Sequence, residues 1–283
     1  MSPVAIILGT AQDAGIPHIA CACRTCRRAW ADPTLRRLPS SVAVTGADGR
    51  WVLLDASPAL TEQLALLRRA IPHLAPWPSA IFLTHLHMGH YPGLLYLGQE
   101  AAAAPGLPVY GSAQVVGILQ NNRPWSDLAA GGYVRFRAIA PGEPLSLAGL
   151  LLTGHLVPHR PDVSDMTAWR VAARGGRSLL YLPDVDYLDE TILSLIAACD
   201  LALVDGSFYD DTELPGRDIS RIPHPFLVES SRRLKPLLGT TQIIFTHFNH
   251  SNPVLLPNSP QAREMKARGF QLAREGMQIS LSK

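Results

Sequence analysis

Five histidines and one aspartate, dispersed from position 85 to position 247, each follow a short apolar run. His85, His87 and His90 come after Ile81-Phe82-Leu83, and His159 after Leu150-Leu151-Leu152. Asp184 follows Leu179-Leu180-Tyr181-Leu182, and His247 follows Ile243-Ile244-Phe245. Short apolar runs bounded by turn residues read as buried strands. A fold that uses these groups together must therefore aim several strand ends at one place. Side chains two apart on an extended chain point the same way, so His85 and His87 can grip one cation while His90, across a turn, faces a neighbouring position. Neutral imidazole is the commonest protein metal ligand. A lone histidine is ordinarily a packed or capping residue, but three at this spacing after a strand argue for coordination.

The segment His85-Leu86-His87-Met88-Gly89-His90 resembles the HxHxDH block of the metallo-β-lactamase superfamily. Val157-Pro158-His159-Arg160, Leu182-Pro183-Asp184 and Thr246-His247 follow in that family's order. The resemblance implies an α/β fold, the αββα four-layer sandwich of two mixed β-sheets flanked by helices. It also implies one metal held by His85, His87 and His159, and a second held by His90 and His247, with Asp184 between them. One position departs: Gly89 stands where most of the superfamily has Asp. The second site is then two histidines and one carboxylate, a set that suits Fe(II) or Mn(II) as well as Zn(II). Paired metals of this kind lower the pKa of bound water and stabilise a developing oxyanion. The implied activity is a metal-dependent hydrolase acting on a small, anionic ester, lactone or phosphodiester in a biosynthetic or catabolic pathway, with Asp184 in the catalytic centre.

Cys21, Cys23 and Cys26 lie within six residues. Thiolates this close fit a structural Zn(II) that needs one more ligand; three thiols without metal are the alternative. The segment Thr246-His247-Phe248-Asn249-His250 resembles the THxxH segment of PhnP-like phosphodiesterases, where the first histidine serves the active site and the second completes a Cys3His zinc. That likeness implies His250 as the fourth ligand. Cys199 recurs at helical spacing with Ile192, Leu195 and Ile196 and reads as a core residue. Further stretches resemble the PqqB-like family of pyrroloquinoline-quinone biosynthesis over nearly the whole chain. They include Gly89-His90-Tyr91-Pro92-Gly93-Leu94, Asp205-Gly206-Ser207-Phe208-Tyr209, Glu213-Leu214-Pro215-Gly216-Arg217-Asp218 and Ile222-Pro223-His224-Pro225-Phe226. The PQQ proteins themselves lose the first histidines of the HxHxxH block, and this chain keeps both. Two other functions follow as alternatives: a PqqB-like Fe(II)-dependent hydroxylase or oxygenase in cofactor or natural-product biosynthesis, and a non-catalytic scaffold that binds a small molecule or metal.

His224, set between prolines, reads either as a general acid, for which an imidazole needs little tuning, or as part of a helix start at Pro225. Arg160 and Arg217 are candidates to hold an anionic substrate through their guanidinium forks. Asp55, ending Trp51-Val52-Leu53-Leu54, resembles the superfamily's early strand-end Asp, whose part is to orient a ligand rather than bind metal. Asp13, Asp205 and Asp218 are weaker candidates for the same orienting part, or only cap turns through their side-chain oxygens.

A chain of 283 residues with 47% apolar content can bury a large core without dividing. We expect a single domain over 1–283, with a Cys-rich zinc loop at about 18–30. The formal net charge is +2, and no basic run interleaved with aromatics points to nucleic acid. The opening apolar run is too short for a signal or spanning segment and reads as a first strand. The expected setting is cytoplasmic, with a small-molecule substrate and no nucleic-acid or membrane partner; a homodimer is left open. A hairpin is expected over 41–54. Helices are expected over 57–71, from Pro92 onward, and over 187–199, 225–238 and 260–269, with the Ala-rich 101–108 finishing a helix. Substrate choice is expected to depend on loops between 107 and 145 and between 207 and 222.

Overall fold

The computed structural model describes residues 2–214, 216 and 222–283. Two seven-stranded sheets stack face to face. The first holds β1 (Val4–Gly9), β2 (Ser41–Thr45), β3 (Trp51–Leu54), β4 (Ile81–Phe82), β5 (Leu107–Gly111) and β6 (Val134–Ala138). The second holds β7 (Pro144–Leu147), β8 (Leu150–Val157), β9 (Met166–Ala173), β10 (Ser178–Leu182), β11 (Leu201–Asp205), β12 (Gln242–Thr246) and β13 (Gln271–Leu272). The last strand, β14 (Gln278–Ser280), returns to the edge of the first sheet beside β1. Both sheets are mixed: β3 to β6 run parallel, as do β10 to β13, while the remaining pairs are antiparallel.

The alternation along β1 explains why the strands are apolar on both faces. Ala5 and Ile7 pack into the core shared with the second sheet. Ile6 and Leu8 pack into a separate core beneath α2 (Leu60–Ala70), α3 (Ala113–Asn121) and α4 (Trp125–Ala130). Strands covered on both faces lose the polar half of the usual pattern. On the far side of the second sheet, α5 (Glu190–Ala197), α6 (Leu227–Leu234) and α7 (Pro260–Ala267) insert Ile192, Ile196, Leu227, Leu234 and Met265 into the shared core. The result is the expected four-layer sandwich. One more helix, α1 (Arg24–Ala31), follows the cysteine segment and is capped by Cys23, whose sulfur accepts from the Cys26 N–H.

Several local expectations need correction. The segment after His90 is a 3-10 helix, Pro92–Leu97, because the chain is tied back through Gly93 N–H to Ala56 O at 2.9 Å. Residues 101–108 do not finish a helix: the N–H groups of Ala101, Ala102 and Ala103 all turn onto Gly98 O, and the chain enters β5. The helix expected over 57–71 is shorter, α2 at Leu60–Ala70: the Ser57 hydroxyl before it accepts from Ala59 N–H and donates to buried Gln63. Pro225 does not open α6, which begins two residues later. Residues 107–145 are mostly β5, α3, α4, β6 and the start of β7, not free loops. No helix among the described residues is long and apolar enough to cross a membrane.

Candidate metal centre

All six predicted ligands lie just beyond strand ends at one edge of the sandwich: His85, His87 and His90 after β4, His159 after β8, Asp184 after β10, and His247 after β12. Parallel register aligns the ends of β10, β11 and β12, which places Asp184, Asp205 and His247 side by side. His85, His90, His159, Asp184 and His247 are almost fully buried. His85, His87 and His159 bring ligand atoms within one coordination spacing, as do His85, His90 and Asp184.

The distances suit a shared cation as well as they suit hydrogen bonds. Asp184 Oδ2 is 3.2 Å from both His90 Nε2 and His247 Nε2, and those two nitrogens are 3.3 Å apart. A tetrahedral site with bonds of about 2.0–2.1 Å has donor-to-donor edges of about 3.3–3.4 Å. His159 Nε2 and His87 Nδ1 are 3.2 Å apart, again close to such an edge. Meanwhile His85 Nε2 and Asp184 Oδ2 are buried without a hydrogen-bond partner among the described residues. Buried polar atoms are normally satisfied, so a shared deficit within one cluster points to a missing cation.

Electrostatics agree. Burial, reinforced by neighbouring His90, keeps His85 well below the ordinary histidine value despite the opposing Asp184. Burial likewise pushes His247 down to about 4. Imidazoles that stay neutral are ready to coordinate. His90 differs: burial opposes its protonation, but Asp55 and Asp184 outweigh it and lift it to about 10.

Two of the candidate ligands are backed by a carboxylate. Asp55 accepts from His90 Nδ1 at 2.8 Å, from Thr84 N–H and hydroxyl, and from the Tyr181 hydroxyl at 3.1 Å, the place of a carboxylate that orients an imidazole. His159 Nδ1 lies 3.1 Å from Asp186 Oδ1. Asp55 and His247 hold left-handed backbone, φ 63° and 60°. That conformation costs a non-glycine residue roughly 1–3 kcal/mol and concentrates at functional sites.

Of the weaker carboxylate candidates, Asp205 takes the orienting place and not only a turn cap: fully buried, it meets His224 Nδ1 at 2.6 Å and accepts from the Ser207 and Val185 N–H groups. His224 is therefore a buried, oriented imidazole, its ring centroid 5.3 Å from that of His159, and not part of a helix start. The carboxylate raises the His224 pKa against the effect of burial. Asp186, Tyr181, Ser207 and Gln12 escaped the sequence reading; Gln12 Nε2 donates to Ser207 at 3.0 Å and reaches His224 Nε2 at 3.3 Å.

The second constellation also assembles. Cys21, Cys23, Cys26 and His250 place their donor atoms together, with Cys21 Sγ and Cys23 Sγ each 3.5 Å from His250 Nδ1. Cys199 is buried at the end of α5, away from this group. Both constellations border one cavity of about 780 Å³, lined by residues 12–13 and 18–23, by His87, His90, Arg160, Asp184, Glu213 and His224, and by 247 and 249–251. Arg160 lines it while pairing with Asp162 at 3.1 Å. Arg217 and Asp218 lie outside the described residues. Nothing from 107–145 lines this cavity, so the first of the two substrate loops expected from sequence is not one.

A model of the β-lactamase superfamily domain matches residues 50–248, which carry all six of these ligands. The chain belongs to the β-lactamase superfamily. It is 29% identical to the coenzyme PQQ synthesis protein B of Cupriavidus necator, covering 97% of this chain and 98% of that one. It is 28% identical to the protein of the same name from Methylorubrum extorquens, covering 98% and 99%. Zn(2+)-bound PqqB from Methylobacterium extorquens superposes with a TM-score of 0.85 at 26% identity, covering 98% and 100%. A diphosphatase of the PhnP family shares the fold with a TM-score of 0.72 at 24% identity, covering 100% of this chain and 99% of that one. The architecture is thus the metallo-β-lactamase fold, and its residue groups suit divalent metal binding.

Proposed function

We propose that this superfamily member is a metal-dependent hydrolase of small anionic esters, lactones or phosphodiesters. His85, His87 and His159 hold one divalent cation; His90 and His247 hold a second, with Asp184 shared. Cys21, Cys23, Cys26 and His250 hold a structural Zn(II). The observation that carries the reading is the set of buried, unsatisfied donor atoms at coordination spacing, open to a cavity that also contains an oriented imidazole. The bound cations supply Lewis acidity, activating water and countering charge on the substrate oxygen. The chain's own residues do the rest. Asp55 and Asp186 hold His90 and His159 in their ligand orientations. Asp205 fixes His224 with Nδ1 engaged, leaving Nε2, beside Gln12, to pass a proton to a leaving oxygen. Arg160, at the cavity wall, attracts an anionic group.

The test is turnover of bis(p-nitrophenyl) phosphate and a panel of aryl esters and lactones under anaerobic conditions, with zinc, iron and manganese counted per chain. The expected result is oxygen-independent hydrolysis by the wild type and a loss of about 10³-fold or more in His85→Ala, since the cations contribute several kcal/mol to such a step. Full-length similarity to PQQ synthesis protein B favours one second reading, an Fe(II)-dependent oxygenase. Iron as the metal present, with oxygen consumption and no hydrolysis, would establish that reading instead.

A further inference from the structure

We propose that Asp13 supplies a carboxylate to the cation held by His90, His247 and Asp184, in the space left by Gly89; the proposal rests on the two-cation reading above. The backbone of Gly89 does not need glycine for its conformation, because its φ is not in the left-handed range. Space is the reason for it. A Cβ at position 89 would meet Asp13 N at 3.1 Å, Asp13 O at 3.2 Å and Asp13 Cα at 3.3 Å. The Gln12-Asp13 loop has moved in where a side chain on residue 89 would stand.

That loop is pinned to the site. Gln12 N–H donates to Phe248 O at 3.1 Å, next to His247, and the Gln12 side chain reaches Ser207 and His224. Asp13 itself holds φ 49°, a left-handed backbone that Asp and Asn tolerate better than most residues. It lines the cavity together with His90, Asp184 and His247. Charge balance gives the carboxylate its role: two divalent cations would otherwise face neutral imidazoles and one shared carboxylate, an excess of positive charge in a buried cluster. Asp13 does not yet stand at ligand spacing from the other donors. Its side chain has no hydrogen-bond or ion-pair partner among the described residues, so turning about its own bonds disrupts nothing.

The experiment is a Zn(II) titration of the full-length protein after the active-site metals have been stripped with dipicolinate. Elemental analysis and the Co(II) absorption spectrum serve as parallel readouts for wild type and Asp13→Asn. Asparagine keeps the size and the backbone tolerance, so a matched circular-dichroism spectrum is expected. The expected result is that Asp13→Asn retains the structural zinc and the tighter catalytic equivalent but binds the second at least about tenfold more weakly, the smallest effect typical of losing even an indirect metal contact. Two catalytic equivalents at wild-type affinity in Asp13→Asn would overturn the assignment while leaving the two-cation reading intact. A wild type that keeps its structural zinc but takes up no second catalytic equivalent would overturn both.

Discussion

The two candidate cation-binding regions share a cavity and almost a segment, since only Phe248 and Asn249 separate His247 from His250, yet they are built in opposite ways. The cluster around Asp184 is made mostly of neutral imidazoles backed by carboxylates, assembled from four strand ends in two sheets. The cysteine region is made mostly of sulfur donors backed by N–H groups, mostly from one short loop: His18, Cys23 and Cys26 N–H point to Cys26, Cys21 and Cys23 sulfurs at 3.3–3.4 Å. The first has a rigid fold beneath it. The second is mostly one short loop, and a bound cation would supply much of its order. Burial, helped by the adjacent thiols, pushes Cys26 up to about 12, so without a cation that sulfur keeps its proton and the loop loses its cross-link.

The strongest way to break the comparison is to remove the neighbouring histidines one at a time. His250→Ala should lose one zinc per chain and lower the melting temperature sharply or prevent folding, because structural zinc can contribute about 10 kcal/mol to a small motif. His247→Ala should lose catalytic metal and activity but melt within a few degrees of wild type. Calorimetry with elemental analysis reads both. Equal stability loss in the two variants would mean that the regions are one structural unit.

A smaller effect should come from the supports. Asp55→Asn leaves the shape unchanged but removes the charge that orients His90, and should weaken catalytic metal binding about 10–100-fold with the structural zinc untouched. Asp205→Asn should spare metal affinity and lower hydrolysis, since its target is His224. Chelator competition separates the two. An Asp205→Asn variant that loses metal as readily as Asp55→Asn would make Asp205 part of the coordination sphere.

These supports also show where the sequence stops speaking. The ligands were legible because each follows an apolar run and because imidazoles at positions 85, 87 and 90 have few other reasons to recur so closely. The mixture of strands and helices was legible from the apolar runs and helical spacing, whereas the two-sheet sandwich came from the family resemblance and the strand order was not legible at all. Asp186, Tyr181 and Gln12 were not legible, because a lone polar residue acquires its meaning from a partner distant in sequence: Tyr181 and Asp55 are 126 residues apart. The close approach of Asp13 to Gly89 is of the same kind. The 3-10 turn after His90 was misread because Pro and Gly open an α-helix and a tighter turn alike.

The mildest test concerns Glu213, which joins the two regions. Its carboxylate lines the shared cavity, accepts from Tyr209 N–H at 2.6 Å, and receives the hydroxyl of Ser251, the neighbour of His250. Burial pushes its pKa up to about 7 from an ordinary 4.5, with Asp210 adding in the same direction and the hydrogen bonds from Ser251, Tyr209 and Asn249 opposing. A group that binds its proton more tightly in the folded state stabilises the fold most below its unfolded value, and that contribution fades as pH rises through the folded value. Wild-type stability should therefore fall between about pH 4.5 and 7 by an amount on the order of 3 kcal/mol at most. Glu213→Gln, which retains an acceptor and cannot ionise, should flatten that slope. Urea denaturation midpoints of the metal-loaded proteins across this range measure the difference. Parallel slopes would show that the link between the cavity and the cysteine region does not depend on the protonation of this carboxyl group.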